Sequence, residues 1–157
     1  LLLLEKYLLE PPLHIPAEQI TTETLERIVL DSIVILRVGP HMHFRGQTAK
    51  AYVVTPELDT IPLIRIKDWD FNWQGYYPLL NPVLVPAGSR IRMDATYDNT
   101  VGNSVNPVIP AIDVFYGPGS LNEMCEMAIE YIHFDWEHSD FGKNLVEKTR
   151  LRLNNNE

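Results

Sequence analysis

Residues 31–134 alternate short apolar runs with turn signals, and that rhythm constrains the fold more than anything else in the chain. SIVILRV (32–38), the PHMHF segment after it, KAYVVT (50–55), TIPLIRI (60–66), SRIRMDATY (89–97), IDVFY (112–116) and EMCEMAIEYIHF (123–134) read as strands. PELD, NWQG, VPAG, DNTVGN and YGPG read as the turns between them, and the 12 prolines leave little room for long helices. Helix candidates are confined to residues 1–10 and to EQITTETLER (18–27). The expected organisation is an N-terminal extension, partly helical, over 1–30, an antiparallel sandwich or barrel over 31–134, and a polar tail over 135–157.

At 157 residues with 45% apolar composition the chain suits one domain with a substantial core. Its net charge of −8 and lack of a basic stripe argue against a nucleic-acid partner. The single cysteine, Cys125, excludes an internal disulfide. LLLLEKYLLE is apolar, but it lacks a basic leader and a small-residue cleavage site. Nothing in the chain reaches the roughly 20 apolar residues of a membrane span, so a soluble protein is expected. The Leu1–Leu4 run reads as the middle of a longer sequence.

Strand side chains alternate between two faces. Over 34–44 this puts Val34, Leu36, Val38, Pro40, Met42 and Phe44 on an apolar face, and Ile35, Arg37, Gly39, His41, His43 and Arg45 on the other. A bulge near Gly39-Pro40 would shift that phase. In the last strand Cys125, Met127, Ile129 and Tyr131 face the core, with Glu123 at the rim. Met124, Glu126, Ala128 and Glu130 face away. Cys125 is then a small buried hydrophobe. His41 and His43 are either ligands for one ion or polar residues on a surface strand. With a thioether from Met124 they would form a three-ligand site suited to copper, with a position left open.

HMHFRG (41–46), WDFNWQ (69–74), LVPAGSRI (84–91), YDNT (97–100), NSVNP (103–107) and YGPGSLNEMC (116–125) together carry a resemblance. In this order they resemble the C-terminal domain of the copper type II, ascorbate-dependent monooxygenases, most closely the bacterial members. The resemblance implies an all-β, antiparallel jelly-roll-like β-sandwich. It also implies one copper per chain, at which dioxygen is activated, held by His41, His43 and Met124. These residues lie opposite the apolar sets, so the metal is expected at an open surface or cleft.

The chain also departs from the family. The family's preceding domain, with its second copper, is not visible, so independent monooxygenation is doubtful and a protein partner or electron donor is expected. The oxidoreductase reading stands beside an alternative, a non-catalytic structural or electron-transfer subunit of a larger assembly. In the peptide-amidating relatives an arginine, an asparagine and a tyrosine hold the substrate carboxylate. Gly39, Glu126 and Ala128 stand at the matching positions, and Gln47 replaces a lysine of the bacterial pattern. His133 reads as a core or rim residue and His138 as solvated. WDFNWQGYY reads as aromatic packing at a sandwich edge, and Asp98 and Asn99 as turn residues or supports for the histidines. Asp68, Asp70 and Asp94 match no calcium loop and read as solvated. Loosely held copper beside dioxygen suits a periplasmic or secreted protein.

Overall fold

The computed structural model describes residues 12–134 in full and residues 2–5 through their backbone. The described strands are β1 (Leu2–Glu5), β2 (His14–Ile15), β3 (Ile20–Ile28), β4 (Ile33–His41), β5 (Gly46–Val54), β6 (Thr60–Ile66), β7 (Tyr77–Val85), β8 (Arg90–Asp98), β9 (Val114–Phe115) and β10 (Glu126–His133). Every strand pairing is antiparallel. One sheet runs β1-β10-β4-β7 and a second runs β3-β8-β5-β6, with β2-β9 as a small ribbon. Ile35, Val38, Val85, Met127 and Ile129 of the first sheet pack with Leu25, Ala51, Val53, Ile91 and Met93 of the second in one core. The protein is an all-β, jelly-roll-like β-sandwich.

The helix expected over 18–27 is instead strand β3. Its β-branched residues favour an extended chain, and its polar positions are answered across the sheet. Thr22 bonds Thr96 at 2.9 Å, Thr24 donates to Asp94 at 2.9 Å, and Glu26 meets Arg92 at 3.2 Å. At the start of the expected 1–10 helix lies β1, paired with β10, and the rest of that stretch falls outside the described residues. So do the polar tail from Asp135 and His138. The sandwich therefore takes strands from the segment read as an extension. Among the described residues no helix is long and apolar enough to cross a membrane.

β7 has no counterpart in the sequence reading. Pro78 and Pro82 mask it, and it lies at a sheet edge, where a missing N–H costs no ladder bond.

The alternation expected over 34–44 breaks once. Ladder partners step from Ile35 to Arg37, past Leu36, on both sides of β4. This bulge reverses the phase. Ile33 and Ile35 enter the main core before it, while Val34 packs with Leu84, Leu36 and Phe134 on the opposite face. After it the expected phase holds, with Val38 and Met42 buried.

Candidate metal centre

β4 ends at His41, and the chain turns through Phe44-Arg45 before β5 begins at Gly46. His43 therefore sits in a turn, where the strand was expected to continue. That turn is held from inside. The Glu123 carboxyl accepts the His43 amide at Oε2 and the Arg45 amide at Oε1, each at 2.7 Å. Glu123 was expected at the rim and Arg45 on the outward face, yet both are 0% exposed. Arg45 is buried because its guanidinium donates to Asn99 Oδ1 at 2.9 Å and to the Leu121 carbonyl at 3.1 Å. Asn99 in turn donates to the carbonyls of Ile15, Pro16 and Ile112. Burial pushes the Glu123 carboxyl up to about 7, against the pull of the two amides and Arg45.

The two imidazoles lie edge to face with ring centroids 5.1 Å apart. His41 Nδ1 is 2.6 Å from Gln74 Oε1. The Gln74 amide nitrogen already donates to the Phe71 carbonyl at 2.7 Å, so its oxygen is the acceptor and His41 Nδ1 carries the proton. His43 Nδ1 is 3.1 Å from the Asn122 carbonyl, which can only accept. In the neutral form both rings are then the Nδ1–H tautomer, with the lone pair on Nε2. That is the state in which imidazole binds a metal.

His43 is only 4% exposed, where an outward polar face was expected. Phe71 packs edge-on against its ring, and Trp69 Nε1 donates to its carbonyl at 3.1 Å. Burial lowers the His43 pKa, opposed by the bond to Asn122 and reinforced by His41. A neutral, ligand-competent ring is favoured.

Met124 is half-buried, and its carbonyl accepts the Tyr97 hydroxyl at 2.8 Å. Its backbone is bracketed by two ties to the histidine segment: Glu123 bonds the His43 amide, and Glu126 stands opposite His41 in the β10-β4 register. Among the described residues no three His, Cys, Asp or Glu side chains converge as a metal site. A third protein ligand beside the histidines would be of another type, and a thioether is one.

The remaining candidates lie apart. His14 bonds Asp113 at 3.0 Å and stacks on Phe115 at the surface. His133 is an exposed rim residue against Tyr131. Asp94 is tied to Thr24 and Tyr52, where a solvated carboxylate was expected. Of the aromatic stretch, Trp69 packs on the core and Phe71 on His43, but Trp73 is 79% exposed. Sequence reasoning missed Gln74, Asn122 and the inward role of Glu123. Their signal was position alone, since Gln74 closes the WDFNWQ block and Asn122-Glu123 immediately precede Met124.

Residues 11–147 match the family model described as copper type II ascorbate-dependent monooxygenase, C-terminal domain. No curated protein matches the chain significantly.

Proposed function

Given that the chain belongs to the copper type II ascorbate-dependent monooxygenase C-terminal domain family, we propose that His41, His43 and Met124 hold one copper ion. The observation that carries this reading is the pair of facing imidazoles with both Nδ1 atoms engaged by oxygen acceptors. Two imidazoles suit either copper oxidation state, and a thioether favours Cu(I). When bound, copper supplies the one-electron chemistry by which this family activates dioxygen. The protein's own part is to engage both Nδ1 atoms, through Gln74 and Asn122, on a turn that Glu123 holds. Phe71 packs edge-on against the buried imidazole of His43, and Trp69 holds its backbone carbonyl.

The domain is read as the dioxygen-activating half of such an oxidoreductase, related most nearly to the bacterial members. Electrons beyond the one that a single Cu(I) holds would come from a donor on another domain or a partner protein. The compartment proposed is periplasmic or extracellular, where copper and dioxygen meet outside the reducing cytoplasm.

Copper stoichiometry after equilibrium dialysis, read together with electron paramagnetic resonance, tests the site. One copper per chain is expected, lost in His41→Ala and His43→Ala. Met124→Ala should weaken Cu(I) more than Cu(II). A folded wild type that takes up no copper would overturn the reading. It would favour a structural subunit that packs through its sheet edges, β7 among them.

A further inference from the structure

The β3-β8-β5-β6 sheet carries a cleft of about 440 Å³ on its outer face. Ala49, Ala51 and Ala95 belong to the core, so alternation puts Thr48, Lys50, Asp94 and Thr96 on the outward side. Strand register sets the floor. Thr48 faces Thr96, and Lys50 stands between Asp94 on β8 and Arg65 on β6. Lys67, two residues beyond Arg65, lines the same cleft. The chain there still follows β5, since the Trp69 amide donates to the Gln47 carbonyl at 2.9 Å.

Like charges directly opposite on neighbouring strands repel, and Lys50 opposite Arg65 is such a pair. Elsewhere on this sheet the cations are matched, because Glu26 meets Arg92 at 3.2 Å and Arg90 at 3.7 Å. Among the described residues no ion pair reaches Lys50, Arg65 or Lys67. Of the residues lining the cleft only Asp94 is acidic, and both its oxygens are engaged, Oδ1 by Thr24 and Oδ2 by Tyr52. Lys50 Nζ lies 4.7 Å over the Tyr52 ring, a contact that leaves its charge uncompensated. Three cations around one hollow run against a chain whose net charge is −8.

We propose that this cleft binds a small multivalent oxyanion of the phosphate or diphosphate type, held by Lys50, Arg65 and Lys67. A guanidinium offers paired donors that match an oxyanion, and two ammonium groups add charge without fixed geometry. Three cations favour a ligand of two or more charges over a monocarboxylate. The charge is also local. Glu26 neutralises the arginines further along the sheet, and the acidic chain as a whole repels an extended polyanion. The cleft shares no residue with the histidine turn or its supports, so the proposal goes beyond the copper reading and is independent of it.

The test is calorimetric titration of the metal-free full chain, at low ionic strength, with pyrophosphate, inorganic phosphate and acetate. Pyrophosphate should bind tightest and acetate least, and added salt should weaken binding. Arg65→Gln and Lys67→Gln should each weaken pyrophosphate by roughly three- to tenfold, and the two together should abolish it. Arg90→Gln removes the same charge from the same sheet outside the cleft, and should leave the affinity unchanged. Urea midpoints confirm that each variant folds. Should one fail, the three-probe order and the remaining variants decide the matter. No pyrophosphate binding, acetate binding as tight, or an equal loss in Arg90→Gln would overturn the proposal. A lipid headgroup carries the same chemistry, so the chain is also sedimented with phosphatidylcholine vesicles containing phosphatidic acid. It should stay in solution. Sedimentation without pyrophosphate binding would overturn the small-ligand proposal in favour of a membrane surface. The protein is metal-free throughout, so neither result bears on the copper reading.

Discussion

Glu123 holds the histidine turn with two oxygens and two amides, so its removal should cost more than an ordinary surface change. Glu123→Ala leaves the His43 and Arg45 amides short of an acceptor and removes the carboxyl whose charge lies near the buried Arg45 guanidinium. At roughly 1–3 kcal/mol per orphaned buried group, a loss of about 3–5 kcal/mol is expected, read as a lower urea midpoint. The same residue sets a pH dependence. Its folded pKa of about 7 lies above the ordinary 4.5, so between these values the native state holds a proton that the unfolded chain has released. Stability from this group is therefore full below pH 4.5 and is lost as pH rises through 7. His43, lowered by burial, acts oppositely and costs stability as acid protonates it. Subtracting the pH profile of Glu123→Gln isolates the carboxyl. The wild type should fall by about 3 kcal/mol relative to the variant across that window. A flat difference would show a carboxyl that is ionised throughout. Gln74 gives a cleaner functional test. Gln74→Leu frees His41 to change tautomer and turn, which should weaken copper by roughly 10–100-fold while the unfolding midpoint barely moves.

Among the elements, what the sequence made legible and what it hid separate on physical grounds. β5, β6, β8 and β10 fell close to their expected spans, because each has apolar alternation bounded by turn residues. β3 was hidden because Thr and Glu at its outward positions look like a helix surface until Thr96, Asp94 and Arg92 are known to lie opposite. β7 was hidden by prolines that only an edge position tolerates. The bulge at Leu36 is set by two neighbouring strands, so no local pattern announces it. Likewise the histidines and Met124 could be picked out by motif, while Glu123, Asn122 and Gln74 have meaning only once the β10 approach and the 67–76 loop are folded against the turn. The start of β5 makes a sharp prediction of this kind. A Cβ on Gly46 would meet Trp69 Cδ1 at 2.8 Å and Met42 at 3.0 Å. Gly46→Ala should therefore displace the indole that donates to His43, at about 1–3 kcal/mol, seen as a lower melting midpoint with altered tryptophan emission. Unchanged emission would mean that the strand yields and the ring does not.

For the whole molecule, the candidate site and the N-terminal strands belong to one cooperative unit. β3 pairs with β8 along its full length and supplies Leu25 to the core, while Leu13 and Ile15 are also fully buried. Asn99 carries this to the site, since it bonds the carbonyls of Ile15 and Pro16 with its amide nitrogen and Arg45 with its oxygen. Deleting residues 1–30 would strip the β8 edge and remove these three buried aliphatic side chains. Their burial alone is worth roughly 5–9 kcal/mol, comparable to the whole net stability of about 5–15 kcal/mol expected for a domain. A chain beginning at residue 31 should therefore fail to give a cooperative unfolding transition and should bind a hydrophobic dye. It should also hold no copper, because the turn that carries His43 loses the Asn99 end of its support. A cooperative transition in that chain, with copper uptake intact, would instead make β3 a dispensable cover strand. The site would then depend only on β4, β10 and the loops between them.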